Sequence, residues 1–511
     1  MNSTSQEQTL VAELAKAASD SKDKEFLRYE NSSYTFGQIH SAVEERGSRL
    51  ASLGIAPGDR VGIRLPNGPD WVIALLAIHR IEAIAVPINY AYAVSDLNHV
   101  LTDSGAKAVV TDSNDVLEKT DYFQSGNLVL INDFDQDQDI PLNAEIPAAS
   151  DIRASAIANL QYTSGTTGFP KACMLPQSYW YDLGSIAGEN ANASSSDVAL
   201  TAQPFSYIDP QWNVAMCLIY RFPLVIAPRF SASQFWHWVR TEKVTLFYVL
   251  GTMPTLLYKQ QPSELDRENY VRLVMCSGIP PKLHSTLEER WGAPWREAYG
   301  LTETGIDIRV PVENTETVGS GVIGWTVPSK TAKVLGEDGS EVGRGEVGEL
   351  VITGRPMMRG YWNRPEANEE VLKDGWFYTG DLVSQREDGA FQLVGRLKDM
   401  VRRGGENISS AEVENVANEH PQVLSSAVVA VQDDLWGEEV KLIVQPRTRI
   451  QDSRQFAEEL YVFIKDNLAK FKVPSYISFV DEFPLTPSER IAKAKIPNAD
   501  KREGPDVFVM K

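Results

Sequence analysis

Apolar runs and longer mixed segments alternate between residues 60 and 111 of the chain. Their spacing predicts a strand, a helix, a strand, a helix and a strand over residues 60–65, 69–81, 83–87, 94–104 and 108–111. Strands that alternate with helices form a mostly parallel sheet covered on both faces. Later apolar runs predict strands at 247–250 and 272–276, and the second run ends at Ser277-Gly278-Ile279-Pro280. Because α/β folds bind ligands where such strands end, this turn is a candidate site.

The pattern changes in the second half of the chain. Residues 318–360 are punctuated by glycine and carry short apolar runs, which predicts a distorted β region. Residues 319–324 match Gly-x-Gly-x-x-Gly, but Trp325-Thr326-Val327-Pro328 follows where a dinucleotide-binding fold requires a helix, so we reject that function. Beyond Lys398 the pattern predicts a separate small α+β domain, with helices at 411–420 and 455–468 and strands at 426–431 and 440–444.

Composition narrows the class of protein. The 511 residues, 43% hydrophobic and 23% charged, are typical of a globular protein of about three domain-sized units. A formal net charge of −20 argues against a nucleic-acid-binding surface, so an anionic ligand needs a local basic site. Cys173, Cys217 and Cys276 are too few and too scattered for a disulfide framework or a zinc site. With no signal-peptide pattern and no apolar run of about 18 residues, we expect a cytoplasmic protein without membrane insertion.

The most informative stretch runs from Tyr162 to Lys171 and reads Tyr-Thr-Ser-Gly-Thr-Thr-Gly-Phe-Pro-Lys. Glycine lets backbone N–H groups approach an anion, Ser and Thr hydroxyls add donors, and lysine supplies a mobile positive charge. The segment is not a Walker A loop, because no glycine precedes Lys171. Taken alone, the run leaves phosphate binding and a plain polar loop equally open.

Four more motifs follow in order. They are Tyr299-Gly300-Leu301-Thr302-Glu303, Tyr378-Thr379-Gly380-Asp381, Gly395-Arg396-Leu397-Lys398-Asp399 and Arg402-Arg403-Gly404-Gly405-Glu406-Asn407. With the Tyr162–Lys171 stretch they resemble the motifs of the AMP-forming acyl-CoA synthetases, in the adenylating superfamily that also holds luciferases and peptide-synthetase adenylation domains. The resemblance implies an acid–thiol ligase that activates a carboxylic acid with ATP and Mg²⁺ to an acyl-adenylate and passes the acyl group to CoA.

The same resemblance implies the domain organisation. We expect an α/β fold with a large N-terminal domain over residues 1–395, built from several subdomains with parallel-rich sheets and a β region. A hinge at 396–398 would lead to a small, mobile α+β C-terminal domain over residues 399–511. Lys398 would lie at the hinge, where a residue needs only to absorb φ/ψ change; a surface lysine is the alternative.

The resemblance also implies roles for individual residues. The pyrophosphate loop would comprise Thr163, Ser164, Gly165, Thr166, Thr167 and Lys171. The nucleotide would further contact Gly278, Ile279, Pro280, Ala298, Tyr299, Gly300 and Leu301, with the Tyr299 ring stacked on adenine. Thr302 would contact the α-phosphate, and Glu303 would hold Mg²⁺, which prefers oxygen ligands. Asp381 would accept both ribose hydroxyls, and Arg396 would support that contact or reach a phosphate.

Joining a carboxylate to the α-phosphate brings two anions together, so the site must neutralise charge and align the reacting atoms. For this we expect contributions from Thr163, Lys171, Thr302, Glu303 and Arg490. A lone acidic residue is usually a solvated surface group, but the motif context favours function here. Gly404 and Gly405 would line the pantetheine route, because glycine lets a slender ligand pass the backbone. Lys472 would bind CoA. An ordinary glycine turn is the alternative.

The C-terminal motif departs from the family pattern. Where the family has Thr-x-Ser-Gly-Lys, this chain has Thr486-Pro487-Ser488-Glu489-Arg490. Arg490 therefore occupies the position of the adenylation lysine, and arginine is larger and planar, so it does not replace a compact ammonium group at a tight reacting centre. Lys493 or Lys495 could substitute. Natural variation, a weakened enzyme and an altered sequence all stay open.

The acid is harder to predict. Within the superfamily the chain is most similar to carnitine-CoA ligases and related acyl-CoA ligases, through residues 208–211, 235–236, 402–407 and 469–476. Tyr207, which stands where many members have His, clusters with Asp209 and Trp212 at the acyl-pocket position. Aromatic faces and a carboxylate could select a small zwitterionic acid such as carnitine. Alternatively, Asp209-Pro210 caps a helix, Trp212 is core, and the acid is uncharged.

Two rival functions stay open from the sequence. The first is an adenylating enzyme that passes the acyl group to an amine or a carrier protein. The second is a degenerate ATP-binding homologue with weak turnover, suggested by Glu489 and Arg490. Segments 403–407 and 470–474 favour CoA as the acceptor. The expected partners are a small carboxylic acid, ATP and CoA, and a homodimer is left open.

Overall fold

The computed structural model describes residues 8–132, 144–163, 170–403, 406–433, 435–484, 491–504 and 506–510. The helices are α1 (Leu10–Asp20), α2 (Phe36–Ser52), α3 (Pro69–Arg80), α4 (Val94–Ser104), α5 (Asp121–Gln124), α6 (Gln177–Asn190), α7 (Ile208–Tyr220), α8 (Ala232–Thr241), α9 (Met253–Tyr258), α10 (Pro281–Trp291), α11 (Pro365–Val371), α12 (Ser410–Asn418) and α13 (Ser453–Asn467).

The strands are β1 (Glu25–Tyr29), β2 (Ser32–Thr35), β3 (Arg60–Arg64), β4 (Ile84–Pro87), β5 (Ala108–Thr111), β6 (Val129–Asn132), β7 (Ile157–Thr163), β8 (Lys171–Pro176), β9 (Ala199–Thr201), β10 (Leu224–Ile226), β11 (Leu246–Leu250), β12 (Leu273–Ser277), β13 (Trp295–Leu301), β14 (Gly305–Arg309), β15 (Val322–Thr326), β16 (Lys330–Leu335), β17 (Val347–Gly354), β18 (Leu372–Lys373), β19 (Trp376–Gln385), β20 (Phe391–Arg396), β21 (Met400–Arg403), β22 (Glu406–Ser409), β23 (Val423–Asp433), β24 (Gly437–Pro446), β25 (Tyr476–Phe479) and β26 (Val507–Val509).

Contacts divide the chain into two compact units, residues 1–331 with 352–377, and residues 332–351 with 378–511. The hinge at 396–398 and the boundary at residue 395 stay predictions. The fold class is confirmed: a large α/β N-terminal part with mixed sheets, and a smaller C-terminal domain.

In the first unit, one sheet has the strand order β6-β5-β3-β4-β7-β8, parallel except for the β7–β8 pair. Nearly every residue of α3 is buried, as expected for a helix that is apolar all round. Every residue of β4 and β5 is buried as well. The predicted alternation of strands and helices between residues 60 and 111 is thus confirmed, and the signature loop begins at the end of β7.

A second sheet of the first unit runs β15-β14-β13-β12-β11-β9-β10-β1-β2. Its central strands β9 to β13 are parallel, so their carboxyl ends meet at one edge. The turn after β12 therefore lies beside β13, where the second predicted motif begins. β15 begins within the Gly-x-Gly-x-x-Gly segment and continues through Trp325, so a strand stands where a helix would open, which confirms that it is not a dinucleotide-binding turn.

The second unit contains its own sheet, β22-β21-β24-β25-β26, with β23 paired to β24. α12 and α13 cover it around a separate apolar core that includes Val413, Leu442 and Leu460. β24 and β25 are parallel and are connected through α13. The predicted α+β pattern is confirmed, although β23 and β24 extend further at both ends than their apolar runs, because the two strands pair along their length.

Candidate active site

The strands on either side of the signature loop face each other. β7 and β8 are antiparallel, and Thr163 is paired with Lys171. The Thr163 hydroxyl donates to the Lys171 carbonyl at 3.4 Å. The loop residues Ser164, Gly165, Thr166 and Thr167 lie outside the described residues. The structure therefore brings the two ends of the predicted pyrophosphate loop together, and its phosphate contacts stay a prediction.

Thr302 and Glu303 occupy the tight turn between β13 and β14. The two strands approach so closely that a Cβ at Gly300 would lie 2.0 Å from the Gly305 carbonyl oxygen, so the position requires glycine. From α6, the Tyr179 hydroxyl donates to the Thr302 carbonyl at 2.9 Å. The residues predicted to contact the α-phosphate and the metal thus lie on a short turn, which a hydrogen bond from α6 holds in place.

Glu303 lies beside two residues that approach it from other segments. The Tyr361 hydroxyl donates to Glu303 Oε1 at 2.8 Å, and the Met358 N–H donates to the Glu303 carbonyl at 2.7 Å. Burial and the Glu303 charge hold the pKa of Tyr361 well above its usual range, so its hydroxyl remains a donor. Lys171 Nζ lies 4.9 Å from the centroid of the Tyr361 ring. Tyr361 therefore joins the signature lysine to the predicted metal ligand.

The donor set at this turn fits Mg²⁺. A hydroxyl and a carboxylate on adjacent residues, Thr302 and Glu303, offer hard oxygen ligands. Within the described residues, no cluster of three or more His, Cys, Asp or Glu side chains could hold a metal. A single carboxylate suits Mg²⁺, which keeps waters and shares ligands with substrate phosphates.

The turn after β12 is fixed by a buried acid. Gly278 adopts φ +88°, a conformation that favours glycine. The N–H groups of Gly278 and Ile279 donate to the Glu297 carboxylate at 2.6 and 2.9 Å. Burial raises the pKa of Glu297 to about 7, although these two donors oppose the shift. Glu297 directly precedes the predicted Ala298-Tyr299 contact, and this position next to a motif is the signal from which the sequence could have identified it as a site residue.

The predicted adenine contacts come together at the same edge. Cys276 on β12 is paired with Glu297 on β13, which places the turn at Gly278, Ile279 and Pro280 next to Ala298 and Tyr299. The Ser277 hydroxyl donates to the Ala298 carbonyl. The Tyr299 side chain is buried. Its stacking on adenine stays a prediction.

The predicted ribose contacts lie in the second unit. Asp381 on β19 is paired across the sheet with Arg396 on β20. Arg396 Nε donates to Asp381 Oδ1 at 2.8 Å, and the Asp381 carboxylate is almost fully buried. The Thr379 hydroxyl accepts from the Asp381 N–H at 3.0 Å and donates to Leu350. Arg396 thus holds one oxygen of the carboxylate that would bind ribose.

The predicted acyl-pocket residues start α7. The Tyr207 hydroxyl accepts from the Asn89 amide at 3.0 Å. The indole N–H of Trp212 points to Asp209 Oδ1 at 3.4 Å, and the indole packs edge-on against Tyr248, with ring centroids 5.2 Å apart. Trp212 is buried in the main core, whereas Asp209 is half-buried in the first turn of the helix. The structure thus brings Asp209 and Trp212 into contact, with Trp212 largely enclosed, while the Tyr207 hydroxyl contacts Asn89.

Next to the start of α7 lies a buried chain of amides that the sequence did not reveal. Asn159 Nδ2 donates to Gln211 Oε1 at 3.0 Å, and Gln211 Nε2 donates to Gln161 Oε1 at 3.1 Å. Gln211 also donates to the Tyr207 carbonyl at 2.9 Å. Asn159 and Gln161 belong to β7, which carries the signature loop. β7, which ends at the signature loop, thus fixes the start of α7.

The C-terminal candidates are only partly described. Gly404, Gly405 and Arg490 lie outside the described residues, as does the side chain of Lys398. Lys472 Nζ donates to both oxygens of Glu412 at 2.7 Å, so the predicted CoA contact is engaged in an ion pair. Lys493 Nζ lies 2.7 Å from Glu414 Oε1.

The fold and its sequence matches define an α/β enzyme that uses ATP and forms AMP. The profile of the AMP-binding enzyme family matches residues 14–362, and that of the AMP-binding enzyme C-terminal domain matches residues 412–490. The chain therefore belongs to the AMP-binding enzyme family, and the predicted superfamily is confirmed.

Relatives of the chain are CoA ligases. A feruloyl-CoA synthase of Amycolatopsis sp is 32% identical over 481 residues, which cover 92% of this chain and 94% of the relative. A mitochondrial medium-chain acyl-CoA ligase of Homo sapiens is 30% identical over 519 residues, with 92% and 83% covered.

Solved structures of o-succinylbenzoate CoA synthetase from Bacillus subtilis are similar along nearly the whole chain. Its complex with the acyl-adenylate intermediate has a TM-score of 0.85 at 26% identity, covering 98% of this chain and 99% of that one. Its complex with ATP and magnesium has a TM-score of 0.83 at 27% identity, covering 96% and 99%. The present chain is an AMP-forming CoA ligase that activates a carboxylic acid with ATP to an acyl-adenylate and transfers the acyl group to CoA. ATP, Mg²⁺ and CoA are confirmed as its co-substrates and cofactor.

Proposed function

We propose that adenylation takes place at the turn between β13 and β14, next to the ends of the signature loop. The observation that carries this proposal is the contact of Tyr361 with both Glu303 and Lys171. One tyrosine thus contacts both a cationic side chain and a carboxylate. The proposed site needs both, because the phosphates are negatively charged and their metal is positively charged. When bound, Mg²⁺ supplies charge neutralisation at the phosphate oxygens.

In this proposal the chain's own residues mainly position the reacting groups and neutralise their negative charge. Lys171 and the signature loop hold the leaving pyrophosphate, and Thr302 donates to an α-phosphate oxygen. The turns at Gly278 and Tyr299 enclose the adenine, and Asp381 accepts the ribose hydroxyls. Arg490 supplies positive charge to the first half-reaction from the C-terminal domain, and Lys398 marks the hinge.

The CoA contacts form the second half of the proposal. Lys472 is paired with Glu412, so binding of an anionic CoA group requires Lys472 to leave or share that partner. Gly404 and Gly405 would give the pantetheine arm clearance.

Mass analysis of the products tests the reaction as a whole. The chain is incubated with ATP, Mg²⁺, CoA and a panel of acids, and an acyl-CoA with AMP and pyrophosphate is the expected result. AMP and pyrophosphate without acyl-CoA, or no turnover of ATP, would contradict it.

As the acid substrate, we propose a small carboxylic acid that is recognised by Tyr207, Asp209 and Trp212. The Asp209 carboxylate lies beside the Trp212 indole N–H, and the negative charge would favour an acid that carries a cationic group, such as a carnitine-like zwitterion. The burial of Trp212 supports the alternative, in which Trp212 is core and the acid is neutral.

Asp209→Asn separates these two substrates. We expect the variant to lose kcat/KM for cationic acids far more than for neutral acids of the same shape. A preference for neutral acids in both proteins would exclude the zwitterion.

Location and assembly complete the proposal. No helix among the described residues has the length and apolar character needed to cross a membrane. The three cysteines are unpaired and buried, and we propose a reducing compartment, the cytoplasm. The oligomeric state is open between a monomer and a homodimer, and light scattering during size-exclusion chromatography distinguishes the two.

A further inference from the structure

A buried ion pair lies directly behind the Thr302–Glu303 turn. Lys330 Nζ is 3.3 Å from Asp307 Oδ1, and both side chains are fully buried. Asp307 also accepts from the Thr304 hydroxyl. A charged pair in this position costs desolvation, and a well-packed apolar pair of similar volume would stabilise a fold as well or better.

The Lys330 ammonium joins two segments of the chain. It donates to the Thr304 carbonyl at 2.5 Å and to the Pro356 carbonyl. Thr304 directly follows Glu303, and Pro356 begins the segment that runs to Tyr361. The two carbonyls accept hydrogen bonds from the ammonium group, and the Asp307 carboxylate lies within ion-pair distance of it, so Lys330 ties this junction to three neighbours.

These two segments are the ones that hold Glu303. From the second segment, the Met358 N–H donates to the Glu303 carbonyl and the Tyr361 hydroxyl donates to its carboxylate. A shift of that segment relative to the turn would move the carboxylate and its hydrogen-bond donor apart.

We propose that Lys330 and Asp307 are positioning residues, which orient the Glu303 carboxylate for the metal that accompanies ATP. This inference rests on the proposed role of Glu303. Residues that orient a metal ligand from behind change metal affinity about 10- to 100-fold when they are removed.

The experiment compares Lys330→Met with the double variant Asp307→Asn/Lys330→Met. The single variant leaves a buried carboxylate without its cation and should lower the melting temperature strongly. The double variant removes both charges and should recover much of that loss. The matched control is Arg290→Met, which breaks another largely buried ion pair, with Asp266 at 2.8 Å. Arg290 otherwise bonds Tyr258 and Gln261 and contacts neither segment at Glu303.

Two measurements report on the metal directly. Binding of Mn²⁺, used as a probe in the presence of ATP, is followed by electron paramagnetic resonance. The free Mg²⁺ concentration that gives half of the ATP-induced rise in melting temperature is measured in parallel. We expect both midpoints to rise about ten-fold in the single and double variants and to stay unchanged in Arg290→Met.

The outcomes separate this inference from the proposed function. Wild-type midpoints in the folded double variant, with raised midpoints in Glu303→Ala, would overturn the positioning role alone. Unchanged midpoints in Glu303→Ala would remove Glu303 from the metal site and this inference with it.

Discussion

Glu303 carries the most specific expectation at the scale of single residues. Replacing it with Ala removes the only carboxylate on the β13–β14 turn and leaves the Tyr361 hydroxyl without its acceptor. We expect acid-dependent exchange of pyrophosphate into ATP to fall by about two orders of magnitude or more, as when one preorganised electrostatic group is lost. Unchanged turnover would exclude a role for this carboxylate in the chemical step.

Glu297 predicts a pH dependence of stability. Its pKa rises on folding from 4.5 to about 7, so the folded state holds this proton more tightly than the unfolded state does. Ionisation of Glu297 therefore does not oppose folding below about pH 4.5, and its destabilising contribution grows as pH rises, up to about 3 kcal/mol above pH 7.

The variant Glu297→Gln cannot ionise. Denaturant unfolding of both proteins at pH 5 and pH 8 should show the wild type losing free energy of unfolding relative to the variant as pH rises. A constant difference between the two proteins would mean that Glu297 is ionised over the whole range.

At the scale of secondary-structure elements, the β13–β14 hairpin determines the position of the Thr302–Glu303 turn. Because a Cβ at Gly300 would meet the Gly305 carbonyl oxygen at 2.0 Å, Gly300→Ala must displace the Thr302–Glu303 turn. We expect a loss of about 1–3 kcal/mol in the free energy of unfolding and a drop in pyrophosphate exchange.

The control for this hairpin is Gly47→Ala in α2. Its added Cβ would make only ordinary contacts of 3.5 Å or more, so folding and activity should be retained. Equal activity of the two alanine variants would show that the turn tolerates movement.

The same elements show what a sequence pattern can predict. Helix 94–104 and strand 108–111 have the expected bounds, because periodicity and a following glycine define them locally. The contact between Tyr361 and Glu303 joins residues 58 positions apart. No local periodicity encodes that contact, and the Lys330–Asp307 pair was missed for the same reason: it depends on how β14 and β16 are placed by the fold.

At the scale of the whole molecule, we expect the two half-reactions to use different residues of the chain. Gly405→Leu should retain pyrophosphate exchange and suppress acyl-CoA formation, because a side chain there would obstruct the proposed route of the pantetheine arm, whereas adenylation is proposed to use other residues. Parallel assays of exchange and of thioester formation check this split. A joint loss of both activities would indicate a structural turn instead.

Motif order along the chain was sufficient to predict the superfamily, since each motif is a short local pattern. The acid was not predictable, because the side chains around the proposed acid-binding residues include Asn89 and Tyr248, which come from distant segments. Their mutual geometry exists only after folding.

The positions of the cysteines make thiol labelling a probe of unfolding in the first unit. Cys173, Cys217 and Cys276 are all buried in the first unit, where burial raises the pKa of each thiol well above its usual value. The second unit has no cysteine at all. A thiol reagent added to the folded enzyme is therefore consumed only as fast as the first unit opens, and unfolding confined to the C-terminal domain leaves no trace in the labelling.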